Sequence, residues 1–254
     1  MRIDCRKSDL KRLMWLCLLL VSLNVSSVSA RESFLVERVI DGDTIVLSNK
    51  QTVRLLGINT PEMAYRGKTS DAGALAAKEH LKKMLLKRRV HLEHDSEQQD
   101  RYGRTLAQVF LVSGEHVNVM MLQRGLATLS LHPPNLKYSQ RLIQAQQQAE
   151  KQQLGIWGMN AYAVQPIAAI VDNTLKKWGR FAATVRVVVR TKKGAKLWLS
   201  DKTYIWISVK HQRYFGDLVD YLGRHVEVRG WPRQWGKSWS IRAIHPSQII
   251  LTPG

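Results

Sequence analysis

The chain has 254 residues and carries 39 Lys and Arg against 20 Asp and Glu, a formal net charge of +19. That excess points to a polyanionic partner, either nucleic acid or an anionic envelope surface. Its two cysteines, Cys5 and Cys17, both fall in the first 30 residues, which excludes a disulfide framework or a cysteine-bound zinc in the remainder.

The first 30 residues read as a processing signal. Arg2, Arg6, Lys7, Lys11 and Arg12 precede an apolar run, Leu13–Val25, and Val28-Ser29-Ala30 supplies small residues for cleavage. The run is shorter than the roughly 20 residues of a membrane span, so no transmembrane span is expected in the mature chain. An uncleaved anchor is the competing reading. The expected product begins near Arg31 and is exported, to a periplasm or the medium. Its net charge of +16 is uneven, +5 over residues 31–160 and +11 over residues 161–254.

From Phe34 to Leu56, short β-branched runs broken by Asp-Gly and Asn-Lys predict a meander of strands. Thr69 or Ser70 can cap a helix to about Lys87, with Leu75, Leu81, Met84 and Leu85 turned inward. Val90–Glu93 and Leu106–Val112 read as strands, and Val117, Met120 and Met121 recur at helical spacing. A third helix is expected over about Tyr138–Gln153, with Tyr138, Leu142, Ala145 and Ala149 on one face. It stops at Gly155, ahead of Ile156-Trp157.

Residues 161–174 lack a clear period and are expected as a linker. Beyond them Phe181–Arg190, Lys196–Ser200, Tyr204–Lys210, His225–Gly230 and Trp239–Ala243 alternate as strands, with a short helix over Phe215–Leu222. Three strands, a helix and two strands is the order of a small OB-type barrel, a common platform for nucleic acid; a Tudor-like or SH3-like barrel competes.

Chemistry concentrates between Val39 and Glu62. Asp41-Gly42-Asp43-Thr44 taken alone is a common hairpin turn. It is no EF-hand loop, whose twelfth position needs a glutamate where Thr52 stands. Arg54 interrupts an apolar strand, and a charge there is costly unless paired. Asn59-Thr60-Pro61-Glu62 makes a corner fixed by Pro61. Asp100-Arg101-Tyr102-Gly103-Arg104 adds a second arginine at a glycine turn.

These blocks, with Val117–Ala127 and the final Gly155-Ile156-Trp157, resemble the staphylococcal nuclease (thermonuclease-like) family over about Phe34–Trp157. The resemblance implies a calcium-dependent phosphodiesterase acting on DNA and RNA, built on an OB barrel with three helices and leaving 3′-phosphates. It makes Asp43 a direct metal ligand, with Asp41 behind it, and Asn59 and the Thr60 carbonyl further ligands. Glu62 becomes the general base, Arg54 and Arg104 the phosphate clamps, and Tyr102 a lining of the phosphate and sugar. Two positions depart from the family. Asn59 replaces a carboxylate, which removes one negative charge and leaves manganese as an alternative to calcium. Leu131, His132, Pro133 and Pro134 stand where the family often places stacking tyrosines.

Elsewhere, His91 and His94 flank Leu92-Glu93, but a strand would point the two rings to opposite faces, which disfavours zinc. The run Lys82, Lys83, Lys87, Arg88 and Arg89 reads as a solvated helix end. Trp231 to Trp239 interleaves indoles with cations. Trp235, Arg233 and Lys237 are candidate substrate contacts, and packing of Trp231 and Trp239 into a small core is the alternative.

The expected chain is thus β-rich α+β: an export signal over 1–30, an OB-type five-stranded β-barrel with three helices over 31–160, a linker over 161–174, and a second small OB-like β-barrel over 175–254. The leading functional expectation is an exported calcium-dependent endonuclease of single-stranded DNA, double-stranded DNA or RNA. The alternative is a catalytically weak or inactive binder of nucleic acid or an anionic surface on the same fold.

Overall fold

The computed structural model describes residues 32–64, 69–172 and 177–252. The expected export segment therefore lies outside the described residues. Among those described, no helix is long and apolar enough to cross a membrane.

In the N-terminal half the strands are β1 (Phe34–Val39), β2 (Thr44–Leu47), β3 (Thr52–Leu55), β4 (Gly57–Asn59), β5 (Arg89–Glu93), β6 (Thr105–Leu111) and β7 (Thr128–Ser130). Five of them close a barrel in the order β1-β2-β3-β6-β5, with β3 and β6 parallel and the other pairs antiparallel. A register shift in β1 between Val36 and Arg38 lets that strand bend from β2 toward β5. Strands β4 and β7 form a separate ribbon that pairs Asn59 with Thr128.

Three helices cover the barrel: α1 (Ala74–Leu85), α2 (Val117–Gln123) and α3 (Ser139–Lys151). Leu81 and Leu85 of α1 and Leu142 of α3 are fully buried with Ile45, Leu55 and Val109 in one core. Helix α1 starts later than the Thr69 or Ser70 cap expected from sequence. Gly73 takes φ 87° at its N-terminus, a left-handed conformation that only glycine adopts cheaply. With that start, the buried face is Ala74, Ala77, Leu81, Met84 and Leu85, and Leu75 is 61 % exposed rather than inward.

The C-terminal half contains β8 (Val164–Pro166), β9 (Gly179–Thr184), β10 (Val187–Thr191), β11 (Gly194–Trp198), β12 (Thr203–Ser208), β13 (His225–Gly230), β14 (Pro232–Trp235), β15 (Ser238–Arg242) and β16 (Ile249–Leu251). β9 and β10 are successive halves of one path bent at Val185-Arg186, and β13 and β14 are halves of another bent at Trp231. The pairings run β10-β11-β12-β15-β14 on one side and β13-β9 on the other, with β12 and β15 parallel. This is the same circuit as the first barrel, an OB-type closure. Between its third and fourth strands stand α4 (Val209–Gln212) and a 3-10 turn, Leu218–Tyr221, where one helix over Phe215–Leu222 was expected.

The expected linker is built into this second half. Val164–Pro166 adds to the sheet in parallel with β9, a 3-10 turn follows at Ile167–Asp172, and Ile170 is fully buried in the second core. The sequence hid this because Pro166 and the short runs around it break any period.

A cluster of four charges links the halves. Arg229 on β13 reaches Glu150 on α3 through Nη1 and Nη2 at 2.5 and 2.7 Å, and Glu227 through Nε at 2.5 Å. Arg180 on β9 pairs with Glu227 at 2.7 Å, and both guanidiniums lie within 6 Å of the Trp157 ring, at 5.3 and 5.8 Å.

Candidate active site

The hairpin between β1 and β2 carries Asp41, Gly42 and Asp43, and packs directly on the corner at Thr60. A Cβ on Gly42 would sit 2.7 Å from both the Thr60 Cγ2 and the Ala77 Cβ, so only glycine lets the turn approach this closely. Asp43 is buried and heavily engaged. Its Oδ2 accepts the Thr60 N–H at 2.8 Å and hydroxyl at 3.0 Å, and ion-pairs with the Arg54 Nη1 at 3.0 Å. The Oδ1 accepts the Thr44 hydroxyl.

Arg54 lies on β3, opposite Thr44 of β2 in the antiparallel register. Its Nη2 donates to the Asn59 Oδ1 at 2.9 Å and its Nη1 to the Leu55 carbonyl at 3.1 Å. The arginine that looked anomalous in an apolar strand is therefore a nearly buried fork fixed at both ends. Asn59 in turn donates to the Thr60 carbonyl at 3.2 Å, and its own carbonyl accepts the Thr128 hydroxyl at 3.1 Å.

Asp41 is less engaged: its Oδ1 accepts the Asp43 N–H at 3.0 Å. Burial and the neighbouring Asp43 charge push its carboxyl up to about 6. Two carboxylates held this close favour a cation between them. The surrounding donors, Asp41, Asp43, the Asn59 amide oxygen and the Thr60 carbonyl, are all hard oxygens. Each of the last two accepts one hydrogen bond and retains a second lone pair. That chemistry suits calcium or another hard divalent ion. Among the described residues no group of three or more His, Cys, Asp or Glu is gathered for a metal, so any ion here would depend on the amide and main-chain oxygens.

Glu62 follows the Thr60-Pro61 corner. Its backbone is held by Asp71, whose Oδ2 accepts the Glu62 N–H at 3.3 Å and whose N–H donates to the Glu62 carbonyl at 2.9 Å. Burial raises the Glu62 pKa first and the Asp43 charge second, while Arg54 and Arg104 pull it down. The Glu62 carboxylate thus shares one electrostatic neighbourhood with Asp43, Arg54 and Arg104, four residues from four different segments.

Arg104 is braced rather than loose. Asp100 accepts its Nε at 2.7 Å and its backbone N–H at 3.0 Å, and also caps the Tyr102 N–H at 2.9 Å. Tyr102 is 68 % exposed, with the Arg101 and Arg104 guanidiniums 4.7 and 5.6 Å from its ring centre. Arg233, Trp235 and Lys237 belong instead to the β14–β15 hairpin of the second barrel. Trp235 is 67 % exposed; Trp239 is buried in the second core, and Trp231 is exposed.

The sequence reading missed Asp71 and Asp100, the carboxylates that position Glu62 and Arg104. Asp100 could have been found, since an aspartate four residues before an arginine across a glycine turn is a local pairing. Asp71 could not, because residues 65–68 separate it from the corner without any regular period.

The family model described as staphylococcal nuclease homologue matches residues 52–159. A thermonuclease of Staphylococcus intermedius is 46 % identical over 136 residues, covering 52 % of this chain and 80 % of that protein. A thermonuclease of Staphylococcus hyicus is 39 % identical over 129 residues, 50 % of this chain and 76 % of that protein. Endonuclease YncB of Bacillus subtilis is 35 % identical over 131 residues, 50 % of this chain and 62 % of that protein. The second barrel, from Gly179 onward, lies beyond the family match. The chain belongs to the staphylococcal nuclease family.

Proposed function

We propose that this chain is an exported endonuclease that hydrolyses phosphodiester bonds of DNA and RNA with Glu62 as general base. The observation that carries the reading is the convergence of Glu62, Asp43, Arg54 and Arg104 on one acidic, arginine-walled site. The thermonucleases and endonucleases among its relatives support the same class.

A phosphodiester repels nucleophiles through its own charge, and planar guanidinium forks neutralise it better than point charges. Arg54 and Arg104, each anchored by a carboxylate, grip the non-bridging oxygens, most strongly as those oxygens gain charge in the transition state. Glu62 accepts a proton from the attacking water as the new P–O bond forms. The bond to the 5′-oxygen breaks opposite, that oxygen is protonated by solvent, and a 3′-phosphate remains. Calcium, held by Asp43, Asn59 and the Thr60 carbonyl with Asp41 beside them, would supply further positive charge at the phosphate and polarise the water; manganese is the alternative ion. Arg233, Trp235 and Lys237 of the second barrel hold the polymer and raise its local concentration at the site.

With an amide in place of one carboxylate, calcium affinity without nucleotide is expected to be weak, about 10⁻⁴–10⁻³ M. Isothermal titration calorimetry returning a sub-micromolar constant would contradict that donor set.

A second reading, a binder with little or no activity on a nuclease fold, is favoured by the same Asn59. Incubating the mature chain with single-stranded DNA, double-stranded DNA and RNA, with calcium or with a chelator, separates the two. Cleavage lost in chelator is the expected result. Binding without cleavage in any condition would select the second reading.

A further inference from the structure

The two barrels enclose a cleft of about 580 Å³, the size of a small-ligand site. One wall is the end of β7 and the residues that follow it, from Leu129 to Pro133. The other is the outer sheet face of the second barrel. Strand register explains that face. Ile205, Ile207 and Ile241 point into the core, so their neighbours Trp206 and Arg242, directly paired between the parallel β12 and β15, point outward together. On the adjoining β14, Arg233 pairs with Ser240 on the same side, and Trp231 and Trp235 complete the wall. Among the described residues Arg233 and Arg242 form no ion pair. Glu97 is the single carboxylate on the lining.

The cleft is joined to the hydrolytic site through the β4–β7 ribbon. β7 pairs with β4 at Asn59, whose side chain holds Arg54, and runs directly into the cleft wall at Ser130 and His132. His132 is hydrogen-bonded to Ser130 at 3.1 Å, and after burial the two charges that most disfavour its protonation are those of Arg54 and Arg242. The His132 ring lies in the segment Leu131–Pro134, which departs from the stacking tyrosines often found in the family.

We propose that this cleft takes unpaired nucleotides of the substrate strand, leading it from Arg54 past His132 onto Trp206, Trp231 and Trp235, where the second barrel supplies stacking. The proposal rests on the nuclease reading above and adds a substrate class. Indoles need the open faces of bases and arginines need phosphates, which together fit single-stranded nucleic acid. A base pair in a duplex keeps both faces covered by its neighbours and cannot present them to the indoles.

The test uses the full mature chain carrying Glu62→Gln, so that binding is read without cleavage. Fluorescence anisotropy with a labelled 12-nucleotide single strand and its duplex compares this parent with added Trp231→Ala, Trp235→Ala or Arg242→Gln. Both tryptophans are exposed, so their removal should leave the fold intact, which circular dichroism checks. Expected are tighter binding of the single strand, a loss of about tenfold for each tryptophan on that strand alone, and a salt slope reduced by about one for Arg242→Gln. Equal affinity for both forms, or tryptophan variants that bind the single strand like the parent, would overturn the proposal. If chains with Glu62 fail to cut while this binding pattern holds, the nuclease reading falls and the cleft stands. If they cut and the pattern is absent, the reverse follows.

Discussion

Glu62→Gln is expected to lower kcat on single-stranded DNA by about 10²–10⁴ while leaving the protein folded. Glutamine keeps the shape of the side chain but cannot accept the proton of the attacking water. The backbone of residue 62 is held by Asp71 through main-chain atoms, so the substitution does not loosen the corner. It also removes a charge that burial and Asp43 already disfavour, so thermal stability should stay level or rise slightly. Arg104→Lys offers the matching test of the clamp. It keeps the charge but loses the fork and the Nε hydrogen bond to Asp100, with an expected loss of about 10²–10³. Single-turnover cleavage and thermal unfolding, measured side by side, check both. A Glu62→Gln chain that cuts at the parental rate would remove Glu62 from the chemistry.

Arg229→Ala should be the most destabilising single change at the seam of the barrels. The guanidinium is nearly buried and joins Glu150 of α3 to Glu227 of β13. Its removal leaves two poorly solvated carboxylates sharing Arg180 alone, and breaking a buried pair costs about 3–5 kcal/mol. For a body of this size that corresponds to a fall in Tm of roughly 6–20 °C. The pH dependence has a definite sign. Burial raises the Glu227 pKa, but hydrogen bonds and charge from Arg180 and Arg229 outweigh it and leave the folded value below the ordinary 4.5. Stability from this group is therefore complete above the unfolded value and is lost as pH falls through the lowered folded one. The gap between parent and Arg229→Ala should accordingly be widest near neutrality and narrow below about pH 4.5. Denaturant unfolding across that range measures it. A loss under about 1 kcal/mol, the worth of an exposed pair, would mean the cluster is more hydrated than its geometry requires.

Legibility varied along the chain according to how local the physics was. Most strands of both barrels could be read from short apolar runs and alternation, though not β14, and the buried face of the third helix from its spacing, because those patterns are set by neighbours a few residues apart. The start of α1 could not, since Gly73 in a left-handed conformation overrides two good capping residues upstream. The segment 161–174 looked like a linker because β8 is three residues long and takes its meaning from parallel pairing with β9. Trp206 and Arg242 drew no notice for the same reason. They become neighbours only when two distant strands pair in one register.

By itself the sequence determined the chemical cast: two aspartates at a glycine turn, an arginine in an apolar strand, a glutamate past a proline corner, and a basic, tryptophan-rich second half. These are properties of residue type and short spacing, which one-dimensional order preserves. Tertiary structure alone decided that Asp43 and Arg54 form a nearly buried pair, that Asp71 and Asp100 position the base and a clamp, and that two barrels of the same circuit face each other across an aromatic cleft. Each of those depends on long-range pairing, which burial and charge compensation select only once the whole chain is closed.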